Sequence, residues 1–210
     1  MSRKLLAGAV AVLTMAILAA AIVAQSARVS SPEGIASTEI RGKYAAGPDS
    51  AYQGGKWIEV TYGRPIKRGR ELWGSGSTYG QLLNSGAPVW RAGANVSTRL
   101  KTELPLVIGG KPVPAGEYTL FIDLKPSSWT LIVSRWGAKK DENSPDRQAL
   151  WGSFDYTPAK DVVRAPMKLE VLPHSVDQLT WAFLDVSDAG GTLAIEWDKT
   201  MASVAFRVGQ

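Results

Sequence analysis

No cysteine occurs in the 210 residues, which excludes disulfides, thiolate metal sites and cysteine nucleophiles together. Histidine occurs once, at His174, so no site that needs two imidazoles can form, the His-Glu-x-x-His zinc pattern included. With those groups missing, neither a metal nor a cofactor is expected. Charged residues make up only 20% of the chain, against 45% hydrophobic, a balance that belongs to a folded protein and not to a disordered polyampholyte. Gly 21 and Pro 12 follow no fixed period, so collagen and solenoid arrays are excluded as well. What remains is enough for one well-buried domain and too little for two ordinary ones.

The amino terminus reads as a targeting segment. Arg3 and Lys4 precede an uncharged stretch from Leu5 to Ala24, and small residues at Ala20, Ala21 and Ala24 lead into Gln25 and Ser26. A positive head, an apolar stretch and a small-residue site together make a secretory signal over 1–24. Cleavage is expected after Ala24, with Ala27 as the second position. The alternative is an uncleaved anchor in the inner membrane, because about twenty apolar residues can span a bilayer. Both readings place the rest of the chain outside the cytoplasm, periplasmic or extracellular, touching a membrane through this segment alone. Removing Arg3 and Lys4 lowers the basic count from 24 to 22 against 19 acids, a mature net charge of +3.

Residues 25–34 are small and polar and read as a flexible tether to a single domain over 35–210. Within that domain the apolar period is two. Tyr118, Leu120, Ile122 and Leu124 alternate with Glu117, Thr119 and Asp123; Leu193, Ile195 and Trp197 alternate with Thr192, Ala194, Glu196 and Asp198. Val204, Phe206 and Val208 repeat the pattern, and similar runs cover 36–43, 56–62, 96–102, 128–135, 167–172 and 178–186. Alternation of this kind marks strands buried on one face. Gly109-Gly110, Pro114-Ala115-Gly116 and Ala189-Gly190-Gly191 punctuate the runs as turns. Many short strands without interleaved helices predict an all-β, single-domain antiparallel sandwich, jelly-roll-like in kind.

The segment 63–95 breaks this rhythm. It carries Arg64, Lys67, Arg68, Arg70 and Arg91 against one acid, Glu71, a net +4 that exceeds the charge of the whole mature chain. It also carries Leu72, Trp73, Tyr79, Leu82, Leu83, Val89 and Trp90, which favour burial. A long irregular segment in a compact domain is usually functional or disordered, and this composition points to an ordered loop. Guanidinium forks match carboxylate, phosphate or sulfate at two points. The expected site therefore has Arg64, Arg68, Arg70 and Arg91 as anion donors with Asn95 beside them, and Tyr62, Trp73, Tyr79 and Trp90 as walls. The competing reading has the same arginines pairing with backbone carbonyls to lock the loop. A nucleic-acid partner is not expected, given export and the small net charge.

Other constellations are weaker. Of the eight tryptophans, Trp129, Trp181 and Trp197 fall in phase with apolar neighbours and read as core, whereas Trp57 is out of phase with Ile58, Val60 and Tyr62 and reads as exposed. His174 reads as a solvated turn residue, since no Gly-x-Ser-x-Gly elbow occurs to build a triad with it. Asp141 to Asp146 lacks the glycine and terminal glutamate of a calcium loop and is flanked by Lys139, Lys140 and Arg147. Asn95-Val96-Ser97 fits the glycosylation triplet.

Four blocks then resemble a known family in order. They are Val60-Thr61-Tyr62-Gly63-Arg64-Pro65 with Lys67-Arg68-Gly69-Arg70-Glu71-Leu72-Trp73-Gly74, then Val89-Trp90-Arg91-Ala92-Gly93-Ala94-Asn95, then Gly110 to Phe121, then Trp129 to Val133. The chain resembles the exported bacterial proteins of the domain-of-unknown-function family DUF2911 over roughly residues 55–208. The resemblance implies an exported β-rich domain and no activity. Two features depart from the family pattern: Val96 stands where an acid is usual, and Gln81 to Pro88 lengthen the span before Val89.

Together these readings predict a non-catalytic envelope or periplasmic domain that binds a small anionic or carbohydrate ligand at loop 63–95. One alternative is a hydrolase that uses carboxylates such as Glu59 or Asp123 with Tyr62. The other is a purely structural domain.

Overall fold

The computed structural model describes residues 29–48 and 50–209; the expected signal segment 1–24 and the start of the expected tether lie outside them. The strands are β1 (Glu33–Ile40), β2 (Lys43–Tyr44), β3 (Tyr52–Gln53), β4 (Lys56–Gly63), β5 (Thr98–Thr102), β6 (Leu106–Ile108), β7 (Lys111–Val113), β8 (Gly116–Lys125), β9 (Ser128–Ser134), β10 (Gly137–Ala138), β11 (Ala149–Leu150), β12 (Asp161–Ser187) and β13 (Gly190–Val208). β1 takes in Glu33 and Gly34, which the composition had assigned to the tether, because they pair with Gly63 and Tyr62 of β4. Among the described residues no helix is long and apolar enough to cross a membrane.

Nine strands form one antiparallel sheet in the order β1-β4-β5-β8-β9-β12-β13-β6-β7. β12 is where it folds over. Its Asp161–Met167 portion pairs with β9, and its Lys168–Ser187 portion pairs with β13. The chain is thus an all-β sandwich. One layer is β1-β4-β5-β8-β9 with the start of β12, and the other is the remainder of β12 with β13, β6 and β7. Ile58, Val60, Leu100, Leu120, Ile122 and Leu131 from the first layer share one core with Leu106, Ile108, Leu179, Trp181, Ile195, Trp197 and Phe206 from the second. The even-numbered residues from Ile58 on in β4 and from Tyr118 on in β8 face this core, as alternation requires.

Two features of the sequence pattern resolve differently. The runs at 167–172 and 178–186 are one strand, not two. Val171 pairs with Thr200 and Val176 with Asp198, so Leu172, Pro173, His174 and Ser175 stand against Lys199 alone. Pro173 has no N–H to give a ladder, and the surplus residues are accommodated as a bulge. His174 is exposed on that bulge and not in a turn. The runs 192–198 and 203–208 likewise form the single strand β13, with Asp198 at φ 52° opposite the bulge.

Segment 63–95 is ordered and ties the two layers together. At one end Lys67 N–H donates to Asp177 O at 2.7 Å and Leu179 N–H to Pro65 O at 3.0 Å. At the other, Trp90 exchanges two backbone hydrogen bonds of 2.9 Å with Ile122. β5 ends its pairing with β8 at Leu120, so Trp90 takes up the edge of β8 that the shorter β5 leaves open. Between these anchors, Trp73 packs against Trp90, Trp129 and Trp197 at centroid distances of 6.0, 4.7 and 6.2 Å. The loop is therefore part of the core, with its cations displaced to the rim.

One rim contact makes a pH prediction. Lys67 Nζ lies 2.5 Å from Asp198 Oδ1, and Ser175 Oγ donates to the same oxygen at 2.8 Å. The bond from Lys67, with help from Ser175, holds the Asp198 carboxyl below its ordinary value. A carboxyl depressed in the folded state stabilises above its unfolded pKa and loses that contribution as pH falls through the folded one. Calorimetry should show Tm falling as pH drops below about 4. Asp198→Asn should be less stable at neutral pH and show a shallower acid dependence. An unchanged acid slope in that variant would mean that Lys67 and Asp198 are not coupled in solution.

Candidate functional site

Four of the residues expected at the site meet in one place. Arg70, Trp90, Arg91 and Asn95 line an open depression of about 240 Å³, together with Pro65, Leu82, Leu83 and Trp197. Beneath it Trp90 and Trp197 are stacked at 6.2 Å with an interplanar angle of 13°, and at 1% and 2% exposed they back the floor while presenting almost no open ring face. Leu82 and Leu83 come from a one-turn helix, Gln81–Asn84, which forms a wall of the depression.

Arg91 is the distinctive group. Its Nη1 donates to Asn95 O at 2.5 Å, and its guanidinium lies 5.4 Å from the Phe154 ring centroid. Among the described residues it has no carboxylate partner. Burial without a counter-charge pushes its pKa down from the ordinary arginine value. Gly152, at φ 62°, sits against the same guanidinium, and a Cβ there would overlap Cζ. Arg70 is arranged differently. Its Nε donates to Lys67 O at 3.0 Å and one Nη to Ile66 O at 2.7 Å, with the group 6.0 Å from the Trp197 ring.

The other expected residues lie elsewhere. Arg64 runs over Gly34, where a Cβ would overlap its side chain; its Nε is buried without a hydrogen-bond partner among the described residues. Arg68 is exposed, at φ 52° in the turn before Gly69. Tyr62 is not a wall: it is 3% exposed, and its Oη accepts from Trp181 N–H at 3.0 Å, as β4 alternation directs it to the core. Trp73 and Tyr79 are packed against the core. Tyr79 Oη accepts from Trp129 Nε1 at 2.9 Å, and burial raises its pKa.

The carboxylate set proposed for hydrolysis does not assemble. Glu59 and Tyr62 are three apart on one strand and so point to opposite faces. Asp123 is engaged by Arg164 at 3.2 Å. Among the described residues no three potential metal ligands come together. In the glycosylation triplet Ser97 is fully buried, with Oγ donating to Gly152 O at 2.5 Å, whereas Asn95 is exposed, its Nδ2 donating to Ser31 O at 3.2 Å.

Sequence reading missed Gly152 and Phe154, which seat Arg91. They are about sixty residues away, and only a cue such as Gly152 in Trp151-Gly152-Ser153-Phe154 hinted at a close approach.

No curated protein and no solved structure matches the chain. The family model described as "Protein of unknown function (DUF2911)" matches residues 48–206, from just before β3 to near the end of β13. That span includes the whole of loop 63–95 and every residue around Arg91 named above, and the chain belongs to the DUF2911 family.

Proposed function

We propose that the protein is an exported, non-catalytic binding domain whose ligand is a small anion held in the depression beside Arg91 and Arg70. The observation that carries this reading is Arg91, a partly buried guanidinium with no carboxylate partner among the described residues. A desolvated cation is costly unless it is paired, and a carboxylate, phosphate or sulfate would pair with its planar fork. Arg70 brings a second cation to the same depression. Export rests on the signal-like residues 1–24.

A second reading, a loop that is purely structural, is favoured by Arg70, two of whose five donors go to the Ile66 and Lys67 carbonyls. Thermal-shift titration separates the two. A ligand that binds the native state raises stability by about 2.7 kcal/mol at a hundred times its Kd. Sodium phosphate, sulfate, acetate or citrate should raise Tm in a saturable way, beyond the effect of sodium chloride at equal ionic strength. If all four behave like chloride, the anion reading fails and the structural one stands.

A further inference from the structure

We infer that the outer face of β4, β5 and β8 is a second binding site, for a neutral polyhydroxyl ligand the size of one sugar ring. This site shares no residue with the depression around Arg91, and the inference does not depend on the anion reading.

Register builds the site. Glu59 of β4, Lys101 of β5 and Glu117 of β8 stand directly opposite one another across the three strands. Two residues along on the same face, Thr61, Arg99 and Thr119 form the next row. The result is a two-by-three grid with cations on the central strand and acceptors or hydroxyls on both sides. From strand geometry it measures about 7 Å along the strands and about 10 Å across them. Along one side the chain leaves β9 and rises as Arg135, Trp136, Gly137 and Ala138, closing a cleft of about 230 Å³ over the grid. Thr119, on its floor, is 1% exposed.

The wall is rigid. Trp136 packs on a second small core made by Val89, Phe121, Ile132, Leu150 and Tyr156. Its indole N–H donates to Thr157 O at 3.0 Å, and Lys160 Nζ sits 3.9 Å from its ring centroid. Gly137 and Ala138, as β10, pair with β11. A cleft whose sides are fixed before binding loses little entropy when it is filled.

Most of the grid's charged groups are unspent, although Thr119 Oγ1 donates to Ser134 O at 3.5 Å. Opposite charges facing each other across strands commonly pair. Here Glu59, Lys101, Glu117 and Arg135 make no ion pair among the described residues, and Arg99 alone is paired, with Glu33 at 3.1 Å. These groups point a mixed set of strong donors and acceptors into one small space. An anion placed there meets Glu59 and Glu117, and a cation meets Lys101, Arg99 and Arg135. A hydroxyl both donates and accepts, so a ring of hydroxyls can donate hydrogen bonds to the carboxylates and accept them from the cations at once. Hydrogen bonds to charged groups are the stronger kind.

The test uses the full-length chain and free sugars. In saturation-transfer NMR and titration calorimetry, glucose, galactose, mannose and N-acetylglucosamine are compared with charged counterparts, sodium glucuronate and glucosamine hydrochloride. At least one neutral sugar should bind saturably with a millimolar or tighter Kd, and the charged analogues of that ring should bind about tenfold more weakly. Glu117→Gln and Lys101→Met should each weaken it by about tenfold or more with Tm unchanged. Thr61→Trp, which fills the cleft without touching a charge, should abolish it, and Arg91→Met should leave it intact. The proposal is overturned if no neutral sugar saturates, if the charged analogues bind as well or better, or if folded Thr61→Trp protein binds like wild type.

Discussion

Trp90→Ala is expected to destabilise the domain by about 3–5 kcal/mol and to lower Tm by roughly 6–20 °C for a chain of this size. The indole is 1% exposed and stacks on Trp197, with Trp73 and Trp129 meeting it edge-on at 6.0 and 6.3 Å. Truncation leaves a large cavity bounded by three other indoles, and their own packing holds them back from collapsing into it. Alanine keeps the backbone N–H and C=O that bond to Ile122, so the loss is one of side-chain packing. Trp57→Ala is the control. That side chain is 43% exposed, and its loss should change stability by no more than about 0.5 kcal/mol. Urea unfolding of both variants gives the comparison. Equal midpoints would mean that loop 63–95 lies on the sandwich without being part of its core.

The full burial of Trp90, which composition placed as a wall of the site, was not legible in the sequence, whereas the exposure of Trp57 was, because phase with Ile58, Val60 and Tyr62 is a local property. The same holds for the inward residues of β8 and β13, and for the division of the chain into strands and one long loop. Local pattern stops being informative where the chain meets itself at a distance. Phe121 and Ile132 are apolar at positions that alternation assigns to solvent, and they are fully buried. The outer cover formed by Leu150 and Tyr156 makes them core residues, and that cover has no sequence signal in β8 or β9. Pro173 reads as a strand break, yet the ladder of β12 with β13 resumes beyond it, because a bulge costs less than ending a pairing supported on both sides.

The two sites differ in the same respect. Arg70, Trp90, Arg91 and Asn95 lie within one irregular segment, so composition alone brought them together. The grid of Glu59, Lys101 and Glu117 depends on the pairing register of β4, β5 and β8. A slip of one residue in β5 would put Leu100 in place of Lys101. No reading of single strands can reveal which charges share a row.

Arg91→Met is expected to leave the ligand-free protein as stable as wild type or more so, while weakening the anion response by about tenfold or more. Methionine keeps most of the length and apolar contact, so Gly152 and Phe154 still have a side chain against them. The bond to Asn95 O is lost, but Asn95 is exposed and its carbonyl can turn to water at little cost. What disappears is a partly desolvated cation with no counter-charge, whose burial opposes folding. Arg91→Lys separates charge from shape: it restores a cation without the planar fork, so anion binding should recover only in part. Lys140→Ala, at an exposed position outside the depression, should change neither property. A structural arginine predicts the reverse pattern. In that case Met costs about 1–3 kcal/mol through the lost hydrogen bond and cation–π contact, and phosphate or sulfate raises the Tm of wild type and variant alike. Thermal melts of the three variants with and without sodium phosphate distinguish these outcomes, because a group kept for binding lowers stability when empty and a group kept for structure raises it.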